Sequence, residues 1–150
     1  MTNPFDLRAA LMAKHAQHVV LVHFPIALCL TGVAFDFLAR WTKRGTLAAA
    51  AYYNLFVGAV MTLPVVASGL LAWRWQLEGQ RLRGNLLLHL VLGTVSAALI
   101  WFVWWLHVLA RRRSGQSLPG YVLAIEVVGA LVVGLTAHIG GILSGINLGN

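Results

Sequence analysis

Charge is scarce in this chain. Asp, Glu, Lys and Arg together make up 10% of the 150 residues, against 59% hydrophobic ones, and the mean hydropathy is +0.79. So little polar surface cannot coat a water-soluble globule, which leaves an integral membrane protein. Cysteine is nearly absent as well. Cys29 stands alone, which excludes an intrachain disulfide and a C-x-x-C-H attachment site for covalent haem. A closed zinc site is disfavoured, because there is no Cys pair and no H-x-x-x-H. Cys29 itself reads as a small apolar packing residue. Internal repeats and low-complexity stretches are missing, and no cleavable signal peptide is expected, because Met1 to Lys14 is mostly polar and no small-residue cleavage motif follows the first apolar run.

What the chain does have is four apolar stretches, at Gln17 to Trp41, Leu47 to Trp75, Gly84 to Ala110 and Pro119 to Ile146. Each exceeds the roughly 20 residues that a helix needs to cross a bilayer. The short basic connections between them force neighbours to pack antiparallel. The expectation is an all-α fold, a transmembrane up-down four-helix bundle that forms a single domain over residues 1–150. The pI near 10.9 does not argue for nucleic acid. Lys and Arg are split between helix ends, where they set topology and meet lipid phosphates of the bilayer.

Both termini lie on one side of such a bundle. That side holds Arg8, Lys14, Arg74, Arg81 and Arg83, and the other holds Arg40, Lys43, Arg44 and Arg111 to Arg113. The compact Arg111-Arg112-Arg113 run places the second side in the cytoplasm of a bacterial inner membrane, with both termini in the periplasm.

Three histidines stand out. His23, His89 and His138 lie ~9, ~8 and ~12 Å inside the expected helix ends on the terminal side, at 1.5 Å rise per residue. Imidazoles buried in hydrocarbon need partners, so such a layer points to a site. Small residues flank two of them: Gly134 and Gly141 around His138, with Gly145 continuing that stripe, and Gly93 and Ser96 after His89. A b-type haem held by axial imidazoles from facing helices needs hollows of this kind. The leading axial pair is His89 with His138, and His23 is the alternative ligand. Asn85, Thr136 or helix carbonyls would orient the rings. The competing reading takes the glycines as close-packing positions, Gly141-x-x-x-Gly145 included, with the histidines as structural hydrogen-bonders. His15 and His18, at i, i+3 spacing, are candidates for a surface metal such as copper.

Glu126 is expected ~10 Å inside the opposite end. It reads as a protonated carboxyl bonded to Asn54 or to a snorkelling Arg, with a proton route to quinone as the functional alternative. His107 and Asp36 lie near the same end and are expected to pair at the interface. Pro25 and Pro64 interrupt helices, and Pro25 frees the carbonyl of Leu21 near His23. Most of the six tryptophans sit toward helix ends, as in an aromatic belt.

The run His15-Ala-Gln-His18-Val-Val-Leu-Val-His23-Phe-Pro-Ile-Ala-Leu28, with Phe35-Asp36-Phe37-Leu38 after it, resembles the opening of the bacterial domain-of-unknown-function family numbered 2231. Ala16 and Val19 replace two prolines of that family's pattern, while the histidine spacings hold. Ser68-Gly-Leu-Leu-Ala-Trp73 and Thr136-Ala-His-Ile-Gly-Gly141 extend the likeness over most of the chain, although Ala72 stands where the family has an acidic residue. The resemblance implies a four-helix membrane module whose relatives are fused to Rieske or c-type cytochrome domains. It therefore implies electron transfer with a periplasmic redox partner and with quinone or another membrane carrier, and here a separate protein would supply the redox domain. A cofactor-free assembly or anchoring subunit, working with other membrane subunits or as a homo-oligomer, is the first alternative. A small transporter is the second.

Overall fold

A computed structural model describes residues 14–75, 77–112 and 118–144, with side chains from Gln17 onward. It contains four helices: α1 (Lys14–Thr42), α2 (Gly45–Trp75), α3 (Gly84–Arg112) and α4 (Gly120–Leu143). All four are long and apolar enough to cross a membrane. Consecutive helices pack against each other, and α4 closes the ring on α1. The architecture is the expected all-α bundle.

The helix ends differ from the expected ones in an instructive way. Three helices run on beyond the apolar stretch, α1 from Lys14 to Thr42, α2 from Gly45 and α3 to Arg112. Apolarity marks the depth of the membrane, whereas backbone hydrogen bonding carries a helix on into the interface. Pro119 is the N-cap of α4 rather than its first residue, which suits a ring that has no N–H to donate. The expected end at Ile146 falls outside the described residues. Between α1 and α2 the chain reverses at Lys43, with φ of 58°, and after α2 at Glu78 and Gly79, with φ of 48° and 65°. The second turn is pinned by the Trp73 indole, which donates to the Gln80 carbonyl at 2.9 Å.

The centre of the bundle takes one small or branched residue from each helix: Cys29, Ala59, Ile100 and Val133, all nearly inaccessible. Cys29 is thus a packing residue, as its setting in the sequence suggested. The closest helix contact is between α1 and α2, and glycine makes it. A Cβ on Gly32 would lie 2.9 Å from Leu55 Cγ, and one on Gly58 would lie 3.3 Å from Leu28 Cβ. Leu55 is fully buried, so it cannot swing out of the interior to make way.

Because overfilling a packed interior costs about 1–3 kcal/mol, Gly32→Val is expected to lower the unfolding temperature in detergent clearly below that of the wild type. An unchanged midpoint would show that α1 and α2 are not in close contact there.

Candidate functional site

Two groups of polar side chains lie toward opposite ends of the bundle. At the end where α1 and α3 begin, His18, His23 and His89 each engage a defined partner. His23 Nδ1 donates to the Val19 carbonyl at 2.7 Å, one turn back on its own helix. The acceptor is Val19 rather than the Leu21 carbonyl that Pro25 frees. His89 Nδ1 donates across the helix interface to the Thr136 carbonyl at 3.2 Å, one of the acceptors expected for it. His18 Nδ1 lies 2.9 Å from Ser68 Oγ, and that hydroxyl gives its own proton to the Val65 carbonyl. Ser68 is therefore the acceptor and His18 the donor.

These bonds fix the tautomer. In the neutral rings of His23 and His89 the proton is on Nδ1, so the lone pair is on Nε2. His89 is half-buried, and its ring lies over Gly140, where a Cβ would come within 3.0 Å of Cε1. His18 lies the same way on Gly69, half-buried between α1 and α2 rather than on the surface. His23 and His138 are exposed on the outside of the bundle. The three histidines of the expected layer do not form a three-ligand cluster among the described residues. Of the glycines expected to make room, Gly134 has nothing within 4 Å of a Cβ position and Gly93 has only Thr136 Cγ2 at 3.9 Å. Gly141 is half-buried and its carbonyl accepts from Ser144 Oγ at 3.0 Å. Gly145 and the side chain of His15 lie outside the described part of the chain.

Toward the other end, Asp36 on α1, His107 on α3 and Glu126 on α4 meet. They sit ~9, ~8 and ~9 Å inside their helix ends by helical rise. His107 Nε2 is 2.7 Å from Glu126 Oε1 and 3.1 Å from Asp36 Oδ2. All three residues are buried, at 5%, 4% and 1% relative exposure in chain order. They are the one group of three or more His, Cys, Asp and Glu side chains among the described residues whose ligand atoms all lie within 4.8 Å of one another.

This cluster corrects two expectations. Glu126 does not bond Asn54, which spans to Thr31 Oγ1 and to the Ala50 carbonyl instead. The Asp36–His107 pair exists, but in the interior and with Glu126 as its third member. Nor does an arginine reach in among the described residues: Arg40 donates to the Leu118 carbonyl at 3.1 Å, and Arg111 lies 3.8 Å over the Tyr52 ring. The signal that would have found the cluster was available, since the three residues share one depth on three helices. Trp101 is more engaged than a belt requires, with Nε1 donating to Thr62 Oγ1 at 3.1 Å.

The fold and its polar layers define a four-helix membrane-spanning protein. Residues 14–145 match the family model described as predicted membrane protein, DUF2231, and the chain belongs to that family. No curated protein and no solved structure matched it.

Removing the base from a buried ion cluster leaves uncompensated carboxyls and costs about 3–5 kcal/mol. His107→Leu should therefore sharply reduce the stability of the detergent-solubilised protein. A loss under about 1 kcal/mol, the scale of exposed pairs, would mean that the cluster does not hold the helices together.

Proposed function

We propose that this protein is a b-type cytochrome-like electron-transfer subunit of a bacterial inner membrane, with both termini and the imidazole-rich end facing the periplasm. One observation carries the reading: His23 and His89 each commit Nδ1–H to a backbone carbonyl. That is the arrangement in which ligating imidazoles are held, with Nε2 left for the metal. The donor chemistry therefore fits haem iron, and the open space beside Gly134 fits a flat macrocycle. His89 and His138 would hold the group, with His23 as the alternative axial ligand. Bound haem supplies a one-electron couple, whose potential follows from ligand identity and burial.

The chain's own part is orientation. The Thr136 carbonyl sets the His89 ring against α4, and Gly140 lets that ring lie close. Exposed imidazoles on α1 and α4 are unfavourable against lipid, so the surface that carries His23 and His138 is one to be covered. The partners in this reading are a periplasmic redox protein, of Rieske or cytochrome c type, and quinone or another membrane carrier.

A second reading rests on its own observation. His89 and His18 both bridge neighbouring helices and lie over glycines, which is how structural struts behave. Under that reading the protein is a cofactor-free assembly or anchoring subunit that pairs with other membrane subunits or with a second copy.

The reduced-minus-oxidised visible spectrum of the protein purified in mild detergent separates the two. The cytochrome reading expects a Soret band with sharp reduced α and β bands, lost in His89→Ala or His138→Ala. A featureless spectrum after expression with ample haem overturns it in favour of the strut reading.

A further inference from the structure

We propose that Asp36, His107 and Glu126 form a binding site for one divalent first-row transition-metal cation of the zinc or manganese class. The site is separate from the imidazole-rich end and independent of the cytochrome reading. Three features of the cluster point to a cation.

The first is donor chemistry. One imidazole nitrogen and two carboxylates, from three different helices, are a ligand set for borderline divalent ions and leave a fourth position open. The second is unused capacity. Asp36 Oδ2 and Glu126 Oε2 are buried with no hydrogen-bond partner, in residues that are 5% and 1% exposed. His107 Nε2 carries a single proton, which cannot satisfy two carboxylates at once. Buried acceptors in native proteins are almost always satisfied, so these two oxygens call for a bound cation or an added proton.

The third is charge. Two buried carboxylates have no Lys or Arg within 4.0 Å among the described residues, and His107 is their one ion-pair partner. A protonated imidazole would still leave one net negative charge in the membrane interior. A divalent cation bound to neutral His107 and both carboxylates brings the cluster to zero, which is the condition for burying such groups.

The geometry is close to what a cation needs. Ligand atoms about 2.0–2.2 Å from a tetrahedral ion stand roughly 3.3 Å apart. The His107 Nε2 contacts of 2.7 and 3.1 Å reach that spacing once the Glu126 carboxylate moves outward by about 0.6 Å and that of Asp36 by about 0.2 Å. Glu126 has the room, because a small cavity lined by Cys29, Val33, Leu55, Ile100 and Gly129 adjoins it.

The experiment is a metal inventory of the intact protein in detergent. After chelator treatment, reloading with Zn²⁺ and extensive dialysis, the wild type and His89→Ala/His138→Ala should each retain one equivalent, with an unfolding temperature raised by the metal. His107→Gln and Glu126→Gln should retain at least tenfold less, the lower end of what even outer-shell changes do to metal sites. Asp36→Asn serves as a further variant if either of these fails to fold. Two results overturn the proposal. One is a wild type that keeps no metal and gains no thermal stability from Zn²⁺ or Mn²⁺, in which case shared protons close the cluster. The other is an equivalent that persists when His107 is replaced, which would place the ion at other histidines.

Discussion

A polar side chain inside a lipid-filled environment must find its partner within the protein, and His107 is the side chain on which two buried carboxyls converge. Its Nε2 lies within reach of Asp36 on α1 and Glu126 on α4, so one ring ties three of the four helices at a single depth. Apolar packing between helices in a membrane gains little from the hydrophobic effect, since lipid tails are as apolar as the side chains. Hydrogen bonds of this kind therefore decide the rotation and register of each helix. The fourth helix, α2, stands outside this cluster; glycines on α1 and α2 let those backbones approach, and side-chain hydrogen bonds of Ser68, Asn54 and Thr62 join it to α1 and α3. The two devices complement each other: close packing fixes the α1–α2 pair, and the cluster fastens α3 and α4 to it.

Histidine is used in two ways along the same bundle. Toward one end, Nδ1 of His18, His23 and His89 engages a carbonyl or hydroxyl acceptor, which fixes ring orientation. Toward the other, His107 turns Nε2 to carboxylates. Ring nitrogens with a fixed tautomer suit ligation or strutting, whereas an imidazole between two acids suits charge neutralisation. The separation of these layers along the bundle is why the proposed haem and cation sites can be judged independently.

Much of this was legible in the sequence. The four spans follow from the length of the apolar runs, and the up-down order follows from the short loops. The family resemblance stood in Val22-His23-Phe24-Pro25-Ile26-Ala27-Leu28 and in the late His138-Ile-Gly-Gly141. The depth of the histidines was also readable, because helical rise is fixed. Azimuth was not. A period of 3.6 residues predicts a face only where apolar and polar residues alternate, and helices apolar all round give no such signal. Hence the exposure of His23 and His138, the contact of His89 with Gly140 rather than with an open groove, and the meeting of Glu126 with His107 rather than Asn54 had to come from three-dimensional packing.

His107 and Glu126 act as one interaction that holds α3 to α4 and, through Asp36, to α1. A double-mutant cycle measures this, comparing the unfolding free energies of the wild type, His107→Leu, Glu126→Leu and the double variant in one detergent. Groups in a shared buried network couple by about 0.5–3 kcal/mol, and this pair is expected in the upper part of that range, with the double variant far less damaged than the sum of the singles. Additive losses, agreeing within about 0.5 kcal/mol, would contradict it and show that the two side chains stabilise the bundle separately.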